Sequence, residues 1–320
     1  MSQLLEIQKQ IESADARVLH LERALAEHPE LPSISANLDS AVRLQEKLRE
    51  QFVEAAAMIG HDVCQYRAFD EYERPKAAAA FGAIAEFQRL ISVVYGALQH
   101  GYKQRATIPE HVARETAFDF GFGFHGSVGI MLTIRNAQEL FETGLDDTIS
   151  TVFSMSKSKN PSEVLHHAHR LGPGPINALY EWAAGNANNG LGAEIEWRHG
   201  GRVKGTLFVQ PRELAHLRKV IDETSTVTEQ TVTVEGKLIA ADVETSKFKL
   251  KRKNLPLIRG LFDPEIIDED HRVQLPARCT ATLRKITTIK YSTGTEDVQW
   301  RLLAIDQPRG SELGNLDSQE

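Results

Sequence analysis

The spacing of apolar residues in the first 60 positions constrains the fold of this chain most strongly. Near the N-terminus these residues recur alternately three and four positions apart. They are Leu4, Ile7, Ile11, Ala14, Val18, Leu21 and Leu25. This is the heptad spacing of a coiled-coil helix. Pro29 and Pro32 then interrupt the helix, because the residue before a proline avoids the α-helical conformation, so the chain is predicted to turn there.

A second stripe with the same spacing runs from Leu38 to Ile59. It predicts a helix that folds back along the first and completes an antiparallel coiled-coil hairpin over residues 1–60. The apolar stripe can then be buried within its own chain, or it can serve oligomerisation or docking to a partner. The residues expected at that docking surface are Leu4, Ile7, Ile11, Val18, Leu21 and Leu25.

Residues 61–224 are predicted to form a central antiparallel α+β domain. Apolar residues alternate with polar residues or glycine in 118–124 and again in 128–134, which indicates a β-hairpin. Alternating segments on either side of Gly200 and Gly201 indicate a second one. Hairpins joined to stripes of helical period favour an antiparallel layered fold over a doubly wound parallel sheet.

The central domain offers little recognisable catalytic chemistry. The segment around Ser127 resembles the nucleophile turn of serine hydrolases, but His125 stands where the first glycine belongs, and a strand is predicted where a helix should follow. His166 and His169 lie three apart on a predicted helix, without the third ligand that a metal site needs. We therefore predict no catalytic residue, no cofactor and no metal ligand. An enzymatic alternative would rest on the three histidines.

A small β-barrel is predicted behind the central domain. The polar, threonine-rich segment 223–230 is expected to separate the two. Five alternating segments follow, at residues 231–243, 247–253, 258–262, 278–291 and 298–305. Five strands with an insertion after the third predict an OB-like or SH3-like barrel over residues 227–306. The polar residues 307–320 are expected to form a disordered tail.

One face of this barrel is predicted to be basic. The chain has a net charge of −7, yet residues 231–309 carry 14 Lys and Arg against 11 Asp and Glu. Phe248 and Leu250 alternate with lysines, which places the lysines outside. The residues expected to bind nucleic acid or a protein partner are Lys247, Lys249, Lys251, Arg252, Lys253, Arg259, Arg284 and Lys285. Tyr291 or Trp300 could add base stacking. The alternative interpretation is a basic edge that only prevents strand pairing.

The sequence favours a cytoplasmic protein without membrane contact. It has no run of 18 apolar residues, and its first residues lack the basic flank and apolar core of a secretion signal. Cys64 and Cys279 are two isolated thiols, as expected in a reducing compartment.

Residues 61–306 resemble uncharacterised bacterial proteins. The segments that carry the resemblance are YRAF, AEFQRL, FHGSVGIML, LGPGPINALYEWA, TVEGKLIAAD and ATLRKIT. Those proteins have a middle α+β domain ahead of a small C-terminal barrel. The resemblance implies the same architecture here and an association with mobile-element or antiviral-defence loci, but no activity and no functional residue.

Together these patterns predict a non-enzymatic adaptor or assembly subunit of a cytoplasmic bacterial complex, related to defence. The helical hairpin would serve self-association or docking to a protein partner, and the barrel would recognise a partner. Two alternatives remain open. One is a nucleic-acid-binding protein that uses the basic barrel face, and the other is an enzyme with an unrecognised site in the central domain.

Overall fold

The computed structural model describes residues 2–70, 77–124, 128–136, 144–242, 244–262 and 275–306. Within these ranges the chain forms eight α-helices and ten β-strands in two five-stranded sheets, which confirms the predicted mixed α+β class. Contacts divide the chain into two compact units. The first comprises residues 1–224 with 291–294, and the second comprises residues 225–290 with 295–320.

The first unit combines helices with antiparallel strands. Its elements are α1 (Ser2–Glu27), α2 (Pro32–Met58), β1 (His61–Asp70), α3 (Ala77–His100), α4 (Glu110–Glu115), β2 (Asp119–Phe124), β3 (Val128–Arg135), α5 (Gly144–Ser156), α6 (Pro161–Leu171), α7 (Pro173–Ala187), β4 (Leu191–His199), β5 (Arg202–Val209) and α8 (Pro211–Asp222). The strands form one sheet in the order β2-β3-β1-β4-β5. Both hairpins predicted from the alternation are present, as β2–β3 and β4–β5.

The helical hairpin covers one face of this sheet. Helices α1 and α2 form where the heptad spacing predicts them. Ile11 of α1 and Phe52 of α2 share a hydrophobic core with Val63 and Phe122 of the sheet. The rings of Phe52 and Phe122 meet edge to face, with centroids 5.1 Å apart, a favourable arrangement for two aromatic rings. The hairpin and the sheet therefore bury each other's apolar residues.

A buried polar contact also joins the two helices of the hairpin. Asp15 of α1 is 6% exposed, accepts a hydrogen bond from Gln45 Nε2, and lies 3.6 Å from Arg49 Nη2 of α2. Within the predicted stripe, Ile7, Ile11 and Val18 are buried, and Leu4, Leu21 and Leu25 are half-buried. The buried residues of the stripe pack against other residues of the same chain. A docking role for the half-buried leucines stays a prediction.

Helices α3 and α7 cover the opposite face of the sheet. Tyr66 of β1 contacts the ring of Phe87 in α3 and accepts a hydrogen bond of 3.1 Å from Trp182 Nε1 in α7. Among the described residues, α3 is the one helix long and apolar enough to cross a bilayer, and half of its most apolar window is buried inside the protein. Leu90 and Ile91 of α3 are fully buried, so core packing accounts for this composition.

The second unit is a five-stranded sheet whose strand pairings form a ring. Its strands are β6 (Ser225–Asp242), β7 (Lys247–Lys251), β8 (Ile258–Phe262), β9 (Ala277–Lys290) and β10 (Thr295–Asp306). β6 pairs with β7 and β9, β8 pairs with β7 and β10, and β9 pairs with β10. Only the β8–β10 pair is parallel among the described strands. A Cβ at Gly260 of β8 would clash with the backbone of Trp300 in β10, so glycine permits this close pairing.

The polar segment 223–230, expected to separate the central domain from the barrel, contains the boundary between the two units, which falls between Thr224 and Ser225. Strand β6 begins within this segment, at Ser225, because its threonines and valine favour an extended strand that pairs with β9. The expectation of a ring for base stacking is wrong. Tyr291 is 2% exposed and Trp300 packs partly buried against the core, so neither ring is free for base stacking. The insertion after β8 and the predicted tail 307–320 lie outside the described residues.

Candidate functional site

A groove of about 870 Å³ lies on the second unit. Its lining residues are Glu235, Gly236, Lys237, Lys251, Arg252, Lys253, Arg278, Cys279, Thr280 and Asp306. This volume is within the range of ligand sites in proteins. Five of the lining residues are cations and two are acids, so the lining has a formal charge of +3 at neutral pH.

Three of these cations form a row across three neighbouring strands. In the strand register, Lys237 of β6 lies opposite Lys251 of β7 on one side and opposite Arg278 of β9 on the other. All three side chains are exposed. Neighbouring strands are about 4.8 Å apart, so this cation row spans about 10 Å. That is about one Debye length at 0.1 M salt, and the three charges can act together on one anionic ligand.

Among the residues that the structure describes, no carboxylate forms an ion pair with the cation row. An ion pair elsewhere in the second unit joins Arg284 to Glu229 and does not involve Lys237, Lys251 or Arg278. Like charges directly opposite one another destabilise a sheet. In the same groove the Nε atom of Arg252 is buried without a hydrogen-bond partner. Within the described residues, the groove therefore contains positive charge without a protein counter-ion, which an anionic ligand would compensate.

Part of the basic face predicted from the sequence coincides with this groove. Lys251, Arg252 and Lys253 line it. Lys247 and Lys249 are exposed further along β7, where Phe248 and Leu250 alternate with them and are buried. The predicted alternation of apolar and basic side chains in this strand is therefore present.

The other three predicted residues lie outside the groove. Arg259 is exposed on β8, beside β7. Arg284 and Lys285 lie six and seven residues along β9 from Arg278, which is about 20 Å at 3.3 Å per residue. Arg284 is also close to Glu229, with Nε and Oε2 3.8 Å apart. The structure does not bring these two residues of β9 together with the cation row.

Lys237 and Arg278 were not among the predicted residues, although both belong to the row. Lys237 is the single cation of β6, and Arg278 lies six residues from the next cation of β9, so no run of charge marks either residue. The alternation in β6 places Lys237 outside, which is the one signal that the sequence offered. Only the register between strands brings Lys237 and Arg278 together, and a single sequence does not show that register.

Cys279 provides a test of how tightly this groove is built. Its side chain is 5% exposed, and burial raises the pKa of its thiol; burial also raises the pKa of Cys64 in the first unit. Because the thiolate is the reactive species, both thiols should react with a disulfide reagent at pH 8 much more slowly in the native protein than in denaturant. Rapid native reaction of one thiol, absent in Cys279→Ser, would contradict the packing described for this groove.

A second polar cluster lies in the first unit and was not predicted. Asp62 of β1 is fully buried. Its Oδ2 atom accepts hydrogen bonds from Asn136 Nδ2 and Trp197 Nε1, each of 2.8 Å, and lies 3.3 Å from Lys204 Nζ. Its Oδ1 atom lies 2.6 Å from His199 Nδ1.

Lys204 extends this cluster to helix α5. Its Nζ atom donates to Asp146 Oδ1 over 2.7 Å and therefore bridges two carboxylates. A buried carboxylate requires partners at both oxygens, and Asp62 has them. Because Asp62 has no exposed surface and its oxygens are already bonded, we interpret the cluster as a network that holds β1, β4, β5 and α5 together.

The described residues do not bring together the histidines on which an enzymatic function would depend. His125 and Ser127 lie outside the described residues. His166 and His169 are exposed on α6. Among the described residues no group of three or more potential metal ligands occurs. The expected absence of catalytic and cofactor-binding residues stays a prediction.

No known protein family matches the chain, and comparisons with curated proteins and with solved structures also gave no significant match. The resemblance of residues 61–306 to uncharacterised bacterial proteins therefore stays a prediction. A function for this protein has to be inferred from the geometry and charge of the groove.

Proposed function

We propose that the second unit binds single-stranded nucleic acid through its phosphates, in the groove that contains the cation row. The observation that carries this proposal is the row of three exposed cations that lie directly opposite one another and have no ion-pair partner among the described residues. Their mutual repulsion costs stability unless an anion is present. A nucleic-acid backbone supplies several phosphates to such a row, and its binding releases condensed counterions, which favours the complex.

The order of strand pairing supports an OB-like barrel as the scaffold. The first strand of the unit, β6, pairs with the second and the fourth, and the third strand, β8, pairs in parallel with the fifth, β10. This is the Greek-key order of an OB barrel, whereas an SH3-like barrel is mainly an antiparallel meander. OB folds bind oligonucleotides on the face of their second and third strands, which in this protein are β7 and β8.

That face is basic in this protein. Lys249 of β7 lies opposite Arg259 of β8, and both are exposed. Lys247 and Lys251 point to the same side as Lys249, because alternate residues of a strand share a face. Together with the groove, these residues form a strip of positive charge that a nucleic-acid backbone can follow.

We expect binding to be largely independent of base sequence. Within the described part of the second unit, Phe248 and Phe262 lie in the core and Trp300 is partly buried against it. Exposed aromatic rings, on which bases would stack, are missing from these residues. Phosphate contacts position a nucleic acid but do not read its sequence. The proposed mode of binding is therefore electrostatic.

The salt dependence of binding tests this proposal. The affinity of the full chain for labelled single-stranded oligonucleotides of mixed sequence should be measured by fluorescence anisotropy across a series of KCl concentrations. If each of the five cations in the groove contacts one phosphate, the logarithm of the affinity should fall against the logarithm of salt concentration with a slope of about −3.5, at ~0.7 per phosphate contacted. Oligonucleotides of different sequence should bind alike. Absence of binding at low salt, or binding that does not respond to salt, would contradict the proposal.

The assembly function predicted from the helical hairpin stays a separate proposal. Ile11 and Val18, at the centre of the heptad stripe, are buried in the chain's own structure. A partner would therefore have to contact the exposed faces of α1 and α2. We favour nucleic-acid binding because the cation row lacks a protein partner among the described residues, whereas the centre of the stripe has one.

A further inference from the structure

Two histidines meet on the surface of the first unit, at the junction of two helices. His100 is the last residue of α3 and His111 lies in α4. Their Nε2 atoms are 3.2 Å apart, their ring centroids are 5.0 Å apart, and the ring planes are 81° apart. Both side chains are exposed. At this distance one ring can donate a hydrogen bond to the other, or both nitrogens can bind one ion.

The separation of the two nitrogens fits a shared metal ion. Zinc binds imidazole nitrogen at about 2.0–2.1 Å with tetrahedral geometry, which places two such nitrogens about 3.3–3.4 Å from each other. The observed distance of 3.2 Å is close to this value.

The orientation of the rings points the same way. If the two nitrogens faced each other head-on, each centroid would lie directly behind its nitrogen, and the centroids would be about 2.3 Å further apart than the nitrogens. The observed difference between 5.0 Å and 3.2 Å is only 1.8 Å. The nitrogen axes are therefore not collinear, which is compatible with both nitrogens facing a common metal ion.

We propose that His100 and His111 form a two-histidine site for a divalent transition-metal ion of the zinc, nickel or copper class. Imidazole is a ligand suited to all three ions. Because the described residues contain no group of three potential ligands, the remaining coordination positions are filled by water or by an external ligand. The site is therefore open, in the way that catalytic zinc sites keep a position for substrate or water.

The position of the site gives the metal a structural consequence. Residues 101–110 lie between the two histidines, and the backbone of Lys103 holds part of this connection through hydrogen bonds with Leu171 and Gly174. Helix α4 itself has only six residues, which is too short to be stable alone. A metal ion held by both histidines would fasten α4 to the end of α3.

Metal binding to the full chain tests the site directly. Titration calorimetry with Zn²⁺ at pH 7.5 should show one bound ion per chain. Its affinity should be at least tenfold lower in His100→Ala and in His111→Ala, because each variant leaves only one ligand. The double variant should bind Zn²⁺ no more weakly than either single variant, because both residues bind one ion.

Electron paramagnetic resonance provides a second test. With Cu²⁺, the spectrum of the wild type should show coupling to two nitrogens. Lowering the pH should weaken binding, because protonated imidazole cannot bind a metal.

His166 and His169 provide the matched control, since both are exposed histidines on α6. His166→Ala combined with His169→Ala should leave the equivalent at His100 and His111 unchanged. Circular dichroism should show that all variants fold, because each replaced side chain is exposed. The proposal would be overturned if the control lost as much Zn²⁺ affinity as the His100 and His111 variants. It would also be overturned if no bound Zn²⁺ depended on His100 and His111.

Discussion

Replacing Asp62 with alanine should lower the free energy of unfolding of the first unit by about 3–5 kcal/mol, the range for breaking a buried ion pair. The variant leaves the donors of Asn136 and Trp197 without their acceptor and removes one of the two carboxylates that Lys204 bridges. A buried donor without a partner is itself costly, at about 1–3 kcal/mol each. The effect therefore comes from the polar groups left behind and not from a loss of apolar packing.

Tryptophan fluorescence can report on this unit alone. The chain has three tryptophans, and Trp182 and Trp197 are buried in the first unit, so the measurement is best made in a Trp300→Phe background. Thermal unfolding of Asp62→Ala should then show a midpoint lower by about 10 °C, at ~2–4 °C per kcal/mol for a unit of this size.

Asp39→Ala supplies the control for this measurement. Asp39 is exposed on α2, and exposed substitutions usually change stability by less than about 0.5 kcal/mol. A midpoint for Asp62→Ala that matched the Asp39→Ala control would show that the buried network does not stabilise the first unit.

The combined substitution of Lys237→Gln and Lys251→Gln should weaken nucleic-acid binding at low salt by at least about tenfold. It removes two of the three charges of the cation row, and the slope of log affinity against log salt should shrink by about 1.4, at ~0.7 for each phosphate that is no longer bound. The same double variant relieves the like-charge repulsion between β6 and β7, so the second unit should become more stable and not less. Weaker binding together with retained or raised stability would distinguish a ligand-binding role from a folding defect.

A matched control exists on the same unit. Lys285→Gln combined with Lys290→Gln removes the same total charge from β9, and both residues lie outside the groove. We expect this control to lower the affinity by less than about twofold at moderate salt, because charges beyond a Debye length are largely screened. If both double variants reduced the affinity equally, the protein would attract nucleic acid by its overall charge and the groove would have no special role.

Local patterns in the sequence predicted much of the secondary structure. The heptad spacing predicted α1 and α2, and the alternation predicted both hairpins of the first sheet and the outward lysines of β7. Each of these features depends on residues that are close in the chain, where side-chain period and backbone geometry are directly linked.

The features that depend on distant residues were not predicted. Lys204 and Asp62 are 142 positions apart and meet only because β1 and β5 both pair with β4. The cation row likewise depends on the register of β7, β6 and β9. A sequence gives the face on which a residue lies in its own strand but not its neighbour in the next strand. The start of β6 at Ser225 depends in the same way on a partner strand that lies some 60 residues further along the chain.

The shared core of the helical hairpin and the sheet means that the first unit depends on its first two helices to fold. Val63 and Phe122 are covered by Ile11 and Phe52 of the hairpin, so a gene fragment that began at residue 61 would encode a sheet with one apolar face in water. Such faces drive aggregation. The two front helices are therefore an integral part of the fold of the first unit and not an independent module.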